Sequence, residues 1–133
     1  IVLLAIFVVT PILNTAVIKA CNDADLPIVC GAFTPTEAQT AHDAGADFVK
    51  LFPAETLGAK YIKALLAPLP HLRIIPTGGV DITTIPELFA AGCVAVAAGS
   101  NLVSEALLSS RDAYAITKRA QSYIDAVAKA RCS

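Results

Sequence analysis

The strongest constraint on this chain is a rhythm. Apolar runs near residues 6–10, 27–31, 47–52, 73–77 and 93–98 recur, each followed by a segment with helical patterning. The period is roughly 20 to 26 residues, which fits one strand, one helix and their short loops. Such alternation predicts a parallel sheet with right-handed crossovers. Two architectures satisfy it, an open doubly wound sheet and a (β/α) barrel. The composition, 56% hydrophobic and 16% charged, suits strands covered on both faces, which read as solid apolar runs. No linker, low-complexity tract or second domain interrupts the rhythm, so residues 1–133 are expected to form a single domain,.

Boundary signals support the helices. Thr34-Pro35-Thr36-Glu37 offers a capping threonine, a proline at the first helical position and a glutamate three residues after the cap. Glu37 therefore reads as a capping-box residue rather than a catalytic acid. Asp81 is expected to cap the following helix, and Gly45 and Gly92 to end theirs. The last helix is predicted over residues 104–130. Leu108, Tyr114, Ile116, Ala120, Tyr123, Ile124 and Val127 should face the sheet, with Lys118, Arg119, Asp125 and Lys129 outward,.

Several function classes are disfavoured. Net charge is −1 and no basic stripe is present, so no nucleic-acid partner is predicted. Cys21, Cys30, Cys93 and Cys132 lack a C-x-x-C spacing. Neither a metal site nor a redox pair is signalled, and a reducing, cytoplasmic setting fits. Cys30 and Cys93 read as small core residues. The run Ile1–Val9 is too short to span a membrane and lacks the basic flank and cleavage site of a signal peptide,.

Chemistry collects at the C-terminal ends of the predicted strands, the rim where parallel α/β folds bind ligands. Thr10-Pro11, Gly31 with Thr34, Lys50 with Phe52-Pro53, Thr77-Gly78-Gly79 and Gly99-Ser100 all fall there. Lys50 stands out because Phe48, Lys50 and Phe52 share one face of an apolar strand. Desolvation favours the neutral amine, which attacks carbonyls to form Schiff bases; a solvated lysine on an edge strand is the other reading. Gly78-Gly79 and Gly99-Ser100 let backbone N–H groups approach an anion, a recurrent phosphate site after the last two strands of β/α barrels. Tight βα turns are the alternative for each pair. His42, His71, Lys60 and Lys63 read as solvated, and Glu55 as a partner of its helix dipole.

Taken together, Gly31-Ala32-Phe33-Thr34-Pro35-Thr36-Glu37, Lys50-Leu51-Phe52-Pro53-Ala54-Glu55, Pro76-Thr77-Gly78-Gly79-Val80 and Gly99-Ser100 resemble the 2-keto-3-deoxy-6-phosphogluconate (KDPG) and 4-hydroxy-2-oxoglutarate (KHG) aldolases. The resemblance implies a TIM-type parallel (β/α) barrel, of which this chain carries about five βα units. It implies a class I aldolase that uses neither metal nor cofactor and acts on a phosphorylated keto acid. Lys50 would be its Schiff-base nucleophile. Phe52, Pro53 and Thr77 would contact substrate, and Gly78, Gly79, Gly99 and Ser100 would hold the phosphate. Family members are typically homotrimers.

The chain departs from the family pattern in one respect. No residue matches the family's general acid/base glutamate or its carboxylate-binding arginine, which belong to the first three βα units. With no methionine in the chain, the expectation is a piece of a longer polypeptide. A catalytically silent β/α piece that binds phosphate or rearranges into an open sheet is the competing expectation.

Overall fold

The computed structural model describes residues 5–132. Its elements run β1 (Val8–Val9), α1 (Thr15–Asp23), β2 (Ile28–Ala32), α2 (Pro35–Asp43), β3 (Phe48–Leu51), α3 (Ala54–Leu66), β4 (Ile74–Pro76), α4 (Ile85–Ala90), α5 (Glu105–Ser110) and α6 (Ala113–Arg131). The first four residues of the opening apolar run lie outside the described residues, as does Ser133.

The strands form one parallel sheet in the order β1-β2-β3-β4. Consecutive right-handed crossovers without a reversal of strand order put the connecting helices on one face. A doubly wound sheet needs that reversal, so the order selects the barrel-type arrangement. The faces confirm it. Cys30, Val49, Leu51, Ile74 and Pro76 are buried. Around them pack Ile18 of α1, Ala38 and Ala41 of α2, Ile62 and Leu65 of α3, Ile85 and Leu88 of α4, and Tyr123 of α6. Each large aliphatic side chain so buried contributes on the order of 1.5–3 kcal/mol. Gly31, Lys50 and Ile75 are register partners and take the opposite, barrel-inner face.

The predicted fifth strand is reduced to one bridge, Thr77 with Ala97. Val94 N–H donates to Ile74 O and Ala97 N–H to Pro76 O. Those donors are three residues apart and their acceptors two, so an extra residue breaks the ladder. A regular ladder would also need Pro76 to donate to Val94 O, and proline has no N–H. The Arg131 guanidinium fills that role instead, 2.9 Å from Val94 O.

The last predicted helix is two helices. Arg111, at φ 53°, ends α5, and new caps start each piece: Ser104 Oγ accepts from Leu107 N–H, and Asp112 Oδ1 from Ala115 N–H,. Leu108 (59% exposed), Tyr114 (78%) and Ile124 (60%) face solvent, contrary to the single amphipathic stripe, while Tyr123 is buried as expected. Asp81 also differs from expectation. Its Oδ1 accepts from Thr83 N–H and Thr83 Oγ1 in the turn before α4, and no side chain caps α4 itself. Gly45 and Gly92 do follow the ends of α2 and α4, both at positive φ.

The capping box at α2 forms as predicted. Thr34 Oγ1 accepts from Glu37 N–H at 3.2 Å, and Glu37 Oε2 accepts from the N–H groups of Phe33 and Thr34 at 2.9 and 2.8 Å. Chiefly the Phe33 bond, then those from Thr34, hold the Glu37 carboxyl below its ordinary range. A carboxyl so held stabilises the fold above the ordinary carboxylate range, and that gain is lost as pH falls through the folded value. Thr34→Ala should lower unfolding free energy by about 1 kcal/mol at neutral pH. Glu37→Gln should shift the urea midpoint at neutral pH and converge on the unmutated chain in acid. A gap that widens on acidification would contradict the assignment.

Candidate active site

Lys50 is the next-to-last residue of β3, on the inner face, half-buried, level with Gly31 on β2 and Ile75 on β4. Its Nζ lies 4.8 Å from the centre of the Phe52 ring, a cation–π distance. Of the two aromatics expected on its face, Phe52 meets the amine, while the Phe48 ring is covered by the Arg73 guanidinium at 3.9 Å. Phe52 is itself 39% exposed, so the lysine sits at an accessible rim. One pleat above it on the neighbouring strand comes Thr77, also half-buried. Sheet spacing puts the two Cα atoms roughly 8 Å apart on the same face.

The loops after β3 and β4 are clipped together. Pro53 occupies the N-cap position of α3 without a side-chain cap. The carbonyls of Thr77 and Gly78 accept from the Ala54 and Glu55 N–H groups at 2.7 and 3.1 Å, satisfying the helix donors that a capping side chain would otherwise serve. Gly78 and Gly79 take φ of 91° and 69°, open to glycine at no steric cost. A Cβ on Gly78 would also press the Phe52 ring at 3.2 Å, and one on Gly79 would collide with the Glu55 side chain. Thus Phe52, Pro53, Thr77, Gly78 and Gly79 are brought together. Among the described residues the N–H groups of Gly78, Gly79, Gly99 and Ser100 donate to no protein acceptor.

Two clefts flank these loops. One, of about 200 Å³, is lined by Glu55, Gly58, Gly78, Gly79 and Glu87; its two carboxylates make it unsuited to an anion. The other, of about 640 Å³, is lined by Ser100, Asn101, Ser104, Lys118 and Arg119 among others, and it carries the positive charge. Arg119, expected to point outward, instead donates through Nε to Asn101 O. The sequence marked Arg119 only as an outward helix residue and Asn101 not at all, although Asn101 directly follows the Gly99-Ser100 pair.

The remaining candidates lie elsewhere. The exposed His42 and His71 rings stand 4.7 Å apart on the outer surface, with His71 Nε2 2.9 Å from Gln39 Oε1. Cys30 and Cys93 are buried, and burial pushes the Cys93 thiol up to about 11. Among the described residues no group of three or more potential ligands could hold a metal, and no helix is long and apolar enough to cross a membrane.

Comparison with known proteins yields a consistent picture. The sequence pattern of the KDPG and KHG aldolases matches residues 4–119. The 2-dehydro-3-deoxy-phosphogluconate aldolase of Haemophilus influenzae is 38% identical over 122 residues, 91% of this chain and 58% of that protein. The 2-dehydro-3-deoxy-6-phosphogalactonate aldolase of Escherichia coli is 34% identical, over 90% of this chain and 59% of its own length. The native KDPGal structure superposes with a TM-score of 0.88 at 30% identity, covering 96% of this chain and 61% of that one. The chain therefore spans between half and three fifths of the length of the curated relatives it matches.

Proposed function

Because this chain belongs to the KDPG and KHG aldolase family, we propose that Lys50 is the nucleophile of a class I aldolase that cleaves 2-keto-3-deoxy-6-phosphogluconate. The observation that carries the reading is the placement of Lys50, half-buried on the inner face beneath Thr77, at the rim beside the Gly78-Gly79 loop.

The chemistry follows from that placement. The neutral Lys50 amine adds to the C2 carbonyl, and loss of water leaves an iminium. When the C4 hydroxyl gives up its proton, the C3–C4 bond breaks and its electron pair flows into the iminium, leaving an enamine. The aldehyde half departs as glyceraldehyde 3-phosphate. Protonation of the enamine and hydrolysis return pyruvate and free Lys50. Thr77, one pleat above, is suited to contact the substrate near C4. The phosphate is matched by the free N–H groups of Gly78, Gly79, Gly99 and Ser100. Phe52 and Pro53 wall the rim beside the lysine. No carboxylate among the described residues pairs with Lys50, and none in the chain is given the proton-carrying role. Homotrimeric assembly and a cytoplasmic setting belong to the same proposal.

The test is borohydride reduction in the presence of pyruvate, followed by peptide mass spectrometry. A reduced pyruvate adduct on the peptide containing Lys50 is expected. Its absence under conditions that label a full-length relative would remove the claim for this chain.

A further inference from the structure

We infer that Arg119 is a positioning residue that sets the spacing between the Gly78-Gly79 and Gly99-Ser100 pairs, and through it the affinity for a phosphate group. The inference rests on the phosphate reading proposed above and adds residues from outside the rim.

The argument starts from what an anion site made of backbone N–H groups demands. Such donors have no rotamers, so their convergence depends wholly on how two separate loops are held. Here each pair is tied at both ends. Before the glycines, Ala97 N–H donates to Pro76 O at 3.1 Å, fixing the entries of both loops. After them, Asn101 Nδ2 donates to Val80 O at 3.2 Å, fixing the exits. Asn101 is itself held by Arg119 Nε, which donates to its carbonyl.

The same guanidinium reaches the other loop. Arg119 Nη2 lies 3.9 Å from Asp81 Oδ2, which also accepts from Tyr123 Oη at 3.4 Å. One side chain on α6 thus reaches a residue just past each pair: Asp81, two residues past Gly79, and Asn101, next to Ser100. Arginine's planar fork offers donors in two directions at once, which a lysine ammonium on a flexible stem does not reproduce. The ion pair with Asp81 is partly exposed and contributes little to stability on its own. Its consequence is geometric, which is why binding rather than folding should register it.

The experiment compares the unmutated chain with Arg119→Lys, Arg119→Gln and Asp81→Asn. Calorimetry with inorganic phosphate and with glyceraldehyde 3-phosphate is run beside borohydride trapping of pyruvate, with thermal melts as a fold check. Both Arg119 variants should bind the two phosphate probes about tenfold more weakly or worse, with Asp81→Asn intermediate. Pyruvate trapping on Lys50 should be unchanged. Unaltered phosphate affinity in Arg119→Gln would overturn the inference, as would an equal loss of pyruvate trapping, which marks a general structural role. Failure of the unmutated chain to bind either phosphate probe would sink the phosphate reading and this inference with it. That outcome differs from failure of the aldolase chemistry, in which the phosphate probes bind but pyruvate leaves no adduct.

Discussion

Lys50→Met is expected to abolish borohydride-trapped pyruvate and to cut cleavage of 2-keto-3-deoxy-6-phosphogluconate at least about 10³-fold. Methionine keeps much of the length and the apolar stem of lysine and lacks the amine, so the Phe52 contact can persist while the nucleophile is lost. Lys50 is half-buried and the inner face around it carries Gly31 and Ile75, so the fold should tolerate the change and the melting temperature should move little. Trapping and turnover report different things. Adduct formation needs the amine and an open rim, both present. Turnover also needs a group to take the C4 hydroxyl proton, and such general acid–base assistance supplies roughly 10²–10⁴-fold. The unmutated chain should accordingly trap pyruvate more readily than it cleaves keto acid. Two results would count against the assignment. An adduct persisting in Lys50→Met, on Lys60 or Lys63 for example, would move the nucleophile. Cleavage within tenfold of the unmutated chain would mean a phosphate-binding barrel that does not use a Schiff base.

The parts of the fold that follow local rules were legible in the residues. The strand–helix rhythm, the capping box at Thr34 and Glu37, and the glycines after α2 and α4 all rest on interactions within a few positions of one another. What could not be read depends on partners distant in the chain. The fifth strand fails because Pro76, on the neighbouring strand, lacks the N–H that Val94 O requires, and Arg131 from the far end of α6 replaces it. The helical periodicity running through residues 104–130 concealed the αL residue Arg111, whose conformation no composition rule marks. At the site, the clustering of Lys50, Phe52, Thr77 and the first glycine pair was readable because strand ends share one rim. The polar supports were not. Arg119 looks like a solvated helix residue until Asn101 and Asp81 are placed beside it. Nor did the residues disclose that the Thr77 and Gly78 carbonyls would cap α3, which gives that loop a structural duty beside the proposed binding one.

Gly31→Ala is expected to be strongly destabilising, lowering unfolding free energy by about 3 kcal/mol or more. Space, not backbone freedom, is the reason, since Gly31 does not occupy the positive-φ region. A Cβ there would run into the backbone of Pro11 and Ile12. Flexible side chains can swing away from such a clash, but this segment is strapped down. Thr10 Oγ1 accepts from Gly31 N–H at 3.1 Å and donates to Ile12 O at 2.9 Å, while Thr10 N–H donates to Val29 O. Relieving the clash means breaking those bonds or displacing β2. Gly99→Ala is the matching control, because a Cβ there meets nothing within 4 Å and the φ is not positive. It should leave stability within about 1 kcal/mol while weakening inorganic phosphate binding, if the anion approaches that backbone as proposed. Urea denaturation of the two variants separates the cases. A Gly31→Ala midpoint close to that of the unmutated chain would show that the strap retreats freely. The consequence also reaches the chemistry, because Gly31 is the register partner of Lys50. A side chain at that position shares the inner face with the amine, so any Gly31→Ala protein that does fold should trap pyruvate more slowly.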